Sequence, residues 1–318
     1  MPITLGAIEA AAERIRPYIW ETLLEPAPAI GRDVGAEVHL KMECLQITRS
    51  FKVRGALNAL MQTPAGVPVV TASTGNHGLA MAYGMAKLGR QGAIVLPETV
   101  SPQKRALLEA MGAQLRFHGT DSVETERFAR DEATRTGAVF ISPYNDPDVV
   151  CGQGTIGLEI LARLGSVDRV FVPVGGGGLI SGIAACLKAA HPAARIVGCL
   201  PANSPVMKVS VECGRIVDMP TEPTLSDGTA GGIEAGAITF DLCAKWVDDW
   251  VAVDEAAIAS AMKRLFYEHR VVVEGAAGVG LAGLLAYAAA SPMPAGARAV
   301  VVLCGGNIDM ARFRDVVG

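Results

Sequence analysis

Half of the 318 residues are apolar and 19% are charged, with 36 Gly and 18 Pro, a composition that excludes a disordered chain, a disulfide miniprotein and a fibrous repeat. Twenty-eight Lys and Arg against 32 Asp and Glu give a net charge of −4 without a basic block, so nucleic acid is not an expected partner. At roughly 100–200 residues per domain, the length predicts two domains with room for a cleft between them.

The chain opens on MPITLGAIEAAAERIRPYIW, where Glu9 and Glu13 interrupt the apolar residues; no basic n-region precedes an apolar h-region, and no secretion signal is predicted. A β-rich run at 37–45 leads through Ser50-Phe51-Lys52-Val53-Arg54-Gly55 into the helical run VRGALNALM. Four strands follow at 67–72, 92–96, 114–117 and 138–141, with helices at 78–88 and 102–111 between the first three. They predict a small domain over 67–143, inserted in a large domain made of 1–66 and 144–318. Helix 149–164, strand 169–174, helix 179–189 and strand 195–200 continue the alternation, which strand 250–253, helices 255–268 and 275–290 and strand 299–303 complete.

Runs such as AIVL, VFVPV and AVVVL are apolar on both faces, as strands of a parallel sheet covered by helices must be. The predicted class is α/β, with open, mostly parallel sheets. The uncharged stretch 275–290 is built of Ala and Gly and is shorter than the ~20 residues of a membrane span; a buried helix and no membrane partner are expected. Seven cysteines at 44, 151, 186, 199, 213, 243 and 304 are odd in number and contain no C-x-x-C pair, so neither a disulfide framework nor a zinc site is predicted, and a cytoplasmic location fits.

Four strand ends run into Gly- or Ser-rich turns that open helices: TASTGNHG, LPETVSPQ, GGGGLISG and CGGN. Ligands of parallel sheets bind at such places, where helix N-termini present free N–H groups. The tetraglycine Gly175–Gly178 has the composition of a phosphate cup; the alternative is a glycine turn that packs helix against strand. A dinucleotide fingerprint fails, because its third glycine falls on Ile180 or Ser181. Lys52 stands beside Phe51 among apolar residues and reads either as a desolvated amine nucleophile or as a solvated helix-start charge. The turn Ser73-Thr74-Gly75-Asn76-His77 suits a carboxylate or is a simple N-cap. Cys304 ends a buried strand as a site thiol or a small core residue.

The ordered motifs SFKVRGALNAL, STGNHG, PYNDPDVVCGQGTIGLEI, PVGGGGLISG, LSDGTAGGIEAGAITF, EGAAGVGLAGLL and CGGN span residues from about 20 to 310. In these the chain resembles the fold type II pyridoxal-phosphate enzymes, in the threonine dehydratase and serine racemase branch. The resemblance implies a cofactor in the cleft between the domains, bound to Lys52 as a Schiff base and stacked on Phe51. It implies that Gly175, Gly176, Gly177, Gly178 and Leu179 hold the phosphate, Asn76 meets the 3′ oxygen and Cys304 meets the ring nitrogen. The substrate carboxylate would sit on Ser73, Thr74, Gly75, Asn76 and His77, with Asp227 and Ser226 as further contacts and Glu274 near the ring.

The activity so implied is loss of water from a β-hydroxy amino acid, with Lys52 removing the Cα proton. A racemase on the same scaffold is the alternative, for which Thr74 would supply the second acid and base; a non-catalytic binding protein is a third, against which Lys52 and the tetraglycine argue. Where racemase-like members carry acidic metal ligands, Leu200 and Val206 stand here, so no metal is expected. Gly231-Gly232 and Glu234 resemble the hydroxyectoine-utilisation dehydratase, whose substrate is a longer hydroxy diamino acid; a turn variant without effect on substrate is the other reading. A homodimer is usual in the family. The end of the sequence shortly after CGGN leads us to expect no regulatory domain and no feedback control by isoleucine.

Overall fold

The computed structural model describes residues 2–120, 122–294 and 296–318. Its strands are Leu24–Pro26 (β1), Glu37–Lys41 (β2), Val69–Ala72 (β3), Gly92–Leu96 (β4), Leu115–Phe117 (β5), Val139–Phe140 (β6), Arg169–Pro173 (β7), Arg195–Pro201 (β8), Asp249–Val253 (β9) and Arg298–Val302 (β10). Six form one sheet in the order β1-β2-β10-β7-β8-β9, and four form a second in the order β5-β4-β3-β6. Every pairing is parallel except that of β1 with β2. With helices between successive strands, this is the α/β architecture expected of buried apolar strands.

Two differences from the sequence reading concern β1 and β2. The three-residue β1 has no alternation to detect and ends in Pro26, a residue that edge strands tolerate. The run at 37–45 stops pairing at Lys41 and turns through a single 3-10 turn, Glu43–Leu45. Helix Ser122–Thr136, rich in charge, fills the gap between β5 and β6.

The larger core joins Val170, Phe171 and Val172 of β7 to Ile180 and Ile183 on one side and to Leu281 and Leu284 on the other. Leu281 and Leu284 belong to helix Gly275–Ala290, whose first ten residues are all buried. Among the described residues no helix is long and apolar enough to cross a membrane. The second core joins Val69, Ile94 and Met81 to Val53, Leu57 and Leu60 of helix Lys52–Gln62. That helix also crosses helix Pro147–Leu164 at backbone contact: a Cβ on Gly152 would stand 2.6 Å from the carbonyl of Arg54, and one on Gly55 would stand 2.7 Å from that of Val149. Only glycine permits such an approach, and it fixes the start of the Lys52 helix between the two sheets.

Candidate active site

The first turn of helix Lys52–Gln62 is tied to the end of β10. The Phe51 N–H donates to the carbonyl of Cys304 at 3.1 Å, and Ser50 bridges to Gly305. Below the turn, Arg54 is fully buried and donates to both oxygens of Glu43 at 2.8 Å and to those of Glu159 at 2.6 and 2.9 Å. Lys41 completes the cluster through Glu159 and through the carbonyl of Thr22 at 2.8 Å, while the Thr22 hydroxyl donates to Glu43 at 2.5 Å. Two cations and two carboxylates thus cancel in the interior, each with hydrogen-bond partners, which is the condition for burying charge.

Lys52 points the other way. Its Nζ donates to the carbonyl of Pro143 at 2.8 Å and lies 5.2 Å from the centre of the Phe51 ring. Burial lowers its pKa from 10.5 to about 8, against the pull of Cys304 and Glu274. A neutral fraction on the order of a tenth is therefore present near physiological pH, far more than for an ordinary lysine, and can act as nucleophile or base.

Asn76 begins helix Asn76–Leu88, and Glu274 directly precedes helix Gly275–Ala290. The Asn76 Nδ2 donates to both Glu274 oxygens, at 2.9 and 3.0 Å. Asn307 adds its backbone N–H to Glu274 at 3.2 Å and its side-chain amide to Asn76 Oδ1 at 2.6 Å. Burial raises Glu274 from 4.5 to about 7 despite these donors. Asn307 is the site residue that residue reading passed over, although it is the last letter of the CGGN motif.

His77 is buried, with Nε2 at 3.3 Å from the carbonyl of Ile141. Burial and the nearby Lys52 depress its pKa to about 3, so the ring is neutral and Nε2 carries the proton that meets the carbonyl. In the same turn Ser73 Oγ accepts from the Gly75 N–H at 3.3 Å, and Thr74 is half-buried. Cys304 is buried, and desolvation with Glu274 and Cys44 nearby raises its pKa well above the usual thiol range; it stays a neutral thiol.

The turn Gly175–Gly178 leaves β7 and enters helix Gly178–Ala190, with Gly177 at φ 84° and Leu179 buried behind it. A Cβ on Gly175 would lie 2.9 Å from Thr229 Cα, one on Gly176 2.5 Å from the Tyr144 ring and one on Gly177 2.9 Å from the Met207 methyl. Tyr144, which residue reading did not single out from PYND, therefore packs directly on Gly176 and Gly178. Burial pushes its phenol up to about 12. Beside Gly177 the Thr239 hydroxyl is buried with no protein partner.

Asp227 stands at the edge of this group: its side chain is 61% exposed and lies 3.6 Å from Arg312, while its charge helps to raise the Glu274 pKa. Its neighbour Ser226 is buried and shares a 2.5 Å hydrogen bond with Thr229. Leu200 and Val206 are both buried in the larger core.

The arrangement fits pyridoxal phosphate. A glycine cup that no side chain could enter and an orphaned buried hydroxyl beside it suit the phosphate. A desolvated amine suits its aldehyde, and a neutral thiol can meet the ring nitrogen without forcing it to ionise.

Comparison with known proteins agrees. The model of the family described as pyridoxal-phosphate dependent enzyme matches residues 15–305. A putative threonine dehydratase of Sinorhizobium fredii is 37% identical, over 99% of this chain and 95% of its own length. An L-threonine ammonia-lyase of Thermotoga maritima is 39% identical, over 99% of this chain and 78% of its own length. Among solved structures, maize serine racemase superposes with a TM-score of 0.92 at 31% identity, covering 99% of this chain and 97% of that one. The processed form of threonine deaminase isoform 2 from Solanum lycopersicum superposes with a TM-score of 0.92 at 32% identity, covering 98% of this chain and 86% of that one. The shared α/β architecture and a family match over most of its length place this chain in the pyridoxal-phosphate dependent enzyme family, in its threonine dehydratase and serine racemase branch.

Proposed function

We propose that the protein is an ammonia-lyase that eliminates water from a β-hydroxy amino acid, L-threonine or L-serine, to an enamine, whose imine tautomer takes up water and releases ammonia and a 2-oxo acid. The observation that carries this reading is the Lys52 amine, held at the Pro143 carbonyl with a pKa near about 8 in the cleft that also holds Asn76 and Glu274. When bound, pyridoxal phosphate supplies the electron sink that stabilises negative charge at Cα. Lys52 takes the Cα proton on Nζ. The Ser73–His77 turn binds the substrate carboxylate through N–H groups at the start of helix Asn76–Leu88 and through the Ser73 and Thr74 hydroxyls. Gly175 to Gly178, with Leu179, would hold the phosphate, Phe51 would pack on the ring, and Asn76 would turn its amide from Glu274 to the 3′ oxygen. Glu274, with its pKa near about 7, keeps a proton available beside Asn76, and the neutral Cys304 thiol meets the ring nitrogen without drawing full charge onto it.

Two finer readings extend this one. A longer substrate such as a hydroxyectoine-derived hydroxy diamino acid is one, for which the resemblance of Gly231-Gly232 and Glu234 is the support. Racemisation is the second activity; the likeness to serine racemase structures favours it, with Thr74 as the second acid and base. We further infer a small domain over 67–143, supported by its own four-stranded sheet and by the cluster of Val70, Val95, Ala129 and Ala133, and a cytoplasmic homodimer.

The test is to add L-threonine, L-serine and the diamino acid separately to the pyridoxal-phosphate-loaded protein, following its visible spectrum and release of 2-oxo acid. Turnover of L-threonine or L-serine at ~1–10³ s⁻¹ is the expected result. Reaction of the diamino acid alone would establish the longer substrate, and a chain that takes up no cofactor would overturn the assignment.

A further inference from the structure

Two ties cross the cleft between the sheets. The inner one is Asn76 with Glu274 and Asn307. The outer one joins Arg130, on helix Ser122–Thr136 against the four-stranded sheet, to Glu234 in the loop that precedes helix Ile238–Trp246.

Arg130 donates to Glu234 Oε2 at 2.6 Å. It is aimed there by Glu126 one helical turn back, at 2.7 Å, and by the Phe140 ring, whose centre lies 4.2 Å away. On the other side, Ile233 is packed in the core of the six-stranded sheet. The Glu234 N–H donates to the Tyr144 hydroxyl at 3.0 Å, and the Tyr144 ring is the surface that covers Gly176. The loop before Glu234 is loosely packed: Gly231 sits at φ 109°, and neither it nor Gly232 has an atom near its missing Cβ.

We propose that Arg130 and Glu234 form a strap that links the helix layer of the four-stranded sheet, through Tyr144, to the glycine cup and so governs how readily the cleft opens to an amino-acid substrate. The inference rests on the cleft being the active site, and it makes both residues positioning residues. An ion pair that water reaches from one side is weak enough to open and reform, as a strap must be. Glu234 Oε1 is buried with no hydrogen-bond partner, so the carboxylate is held through Oε2 and gains little beyond that bond from staying in place.

The test compares Arg130→Gln, Glu234→Gln and the double variant as pyridoxal-phosphate-loaded enzymes. Amide hydrogen exchange over residues 227–237 is read alongside KM and kcat for L-threonine. Each single variant is expected to exchange about two- to fivefold faster there and to raise KM by a similar factor at unchanged kcat, the size a half-exposed pair carries. The double variant should match the singles, because one interaction cannot be lost twice. Unchanged exchange in the singles, or additive effects in the double variant, would overturn the strap. If the parent enzyme does not turn over L-threonine, the substrate reading falls, while the exchange measurement still decides on the strap.

Discussion

The Asn76 amide forks onto both oxygens of Glu274, at 2.9 and 3.0 Å, and joins a helix start of the four-stranded sheet to one of the six-stranded sheet. The pair is the inner seam of the cleft. Glu274 is buried between these two helix starts.

Glu274 binds its proton more tightly in the folded protein, with a pKa raised from 4.5 to about 7. A group whose native pKa is raised contributes stability that is complete below its unfolded value and is lost as pH rises through the native one. Cofactor-free protein should therefore lose about 3 kcal/mol between pH 4.5 and 7 relative to Glu274→Gln, whose amide does not titrate. Urea unfolding of both proteins across that range is the measurement; parallel curves would contradict the buried acid.

Lys52 shifts the opposite way, from 10.5 to about 8. Only the neutral amine attacks an aldehyde, so the rate of pyridoxal phosphate uptake by the cofactor-free protein should rise with pH to a midpoint near 8. A midpoint near that of an ordinary lysine would show that the amine is not desolvated. Lys52→Ala should keep its circular dichroism spectrum and lose both the visible absorbance of the bound cofactor and turnover.

Arg54→Met would leave Glu43 and Glu159 facing only Lys41 in the interior. Removing one partner of a buried ion cluster typically costs ~3–5 kcal/mol, and a loss of that size is expected in denaturant unfolding. A change below about 1 kcal/mol, the value of an exposed pair, would mean that water reaches the cluster.

Gly176→Ala places a methyl group where the Tyr144 ring already stands, at 2.5 Å. Overpacking of this kind costs ~1–3 kcal/mol, so pyridoxal phosphate should bind about 10- to 100-fold more weakly in a fluorescence titration. Gly6→Ala, whose Cβ would meet nothing within 4 Å, is the control and should leave affinity unchanged.

Much of this was legible in the chain itself. Runs such as AVVVL and VFVPV are apolar throughout because both faces of a parallel strand are covered, and β7 and β10 lie side by side in the middle of the six-stranded sheet. For Lys52, Asn76, Gly175 to Gly178 and Cys304 the residues marked only the place, and the resemblance supplied the roles proposed for them. Each stands at a strand end or helix start, where sequence marks the turn with Gly, Ser or Asn. β1 was not legible, since three residues paired at an edge carry no pattern.

What the sequence by itself determined is therefore local: which runs are buried, where they stop, and which reactive side chains stand at the stops. The tertiary structure alone decided the partners. Arg54 meets Glu159 across 105 residues of chain, Asn76 meets Glu274 across 198 and Arg130 meets Glu234 across 104, while Asp227 turns out to Arg312. Periodicity encodes one-sided or two-sided burial within a few turns of chain, whereas these contacts depend on how two sheets and their helices dock, a relationship that residue spacing does not carry.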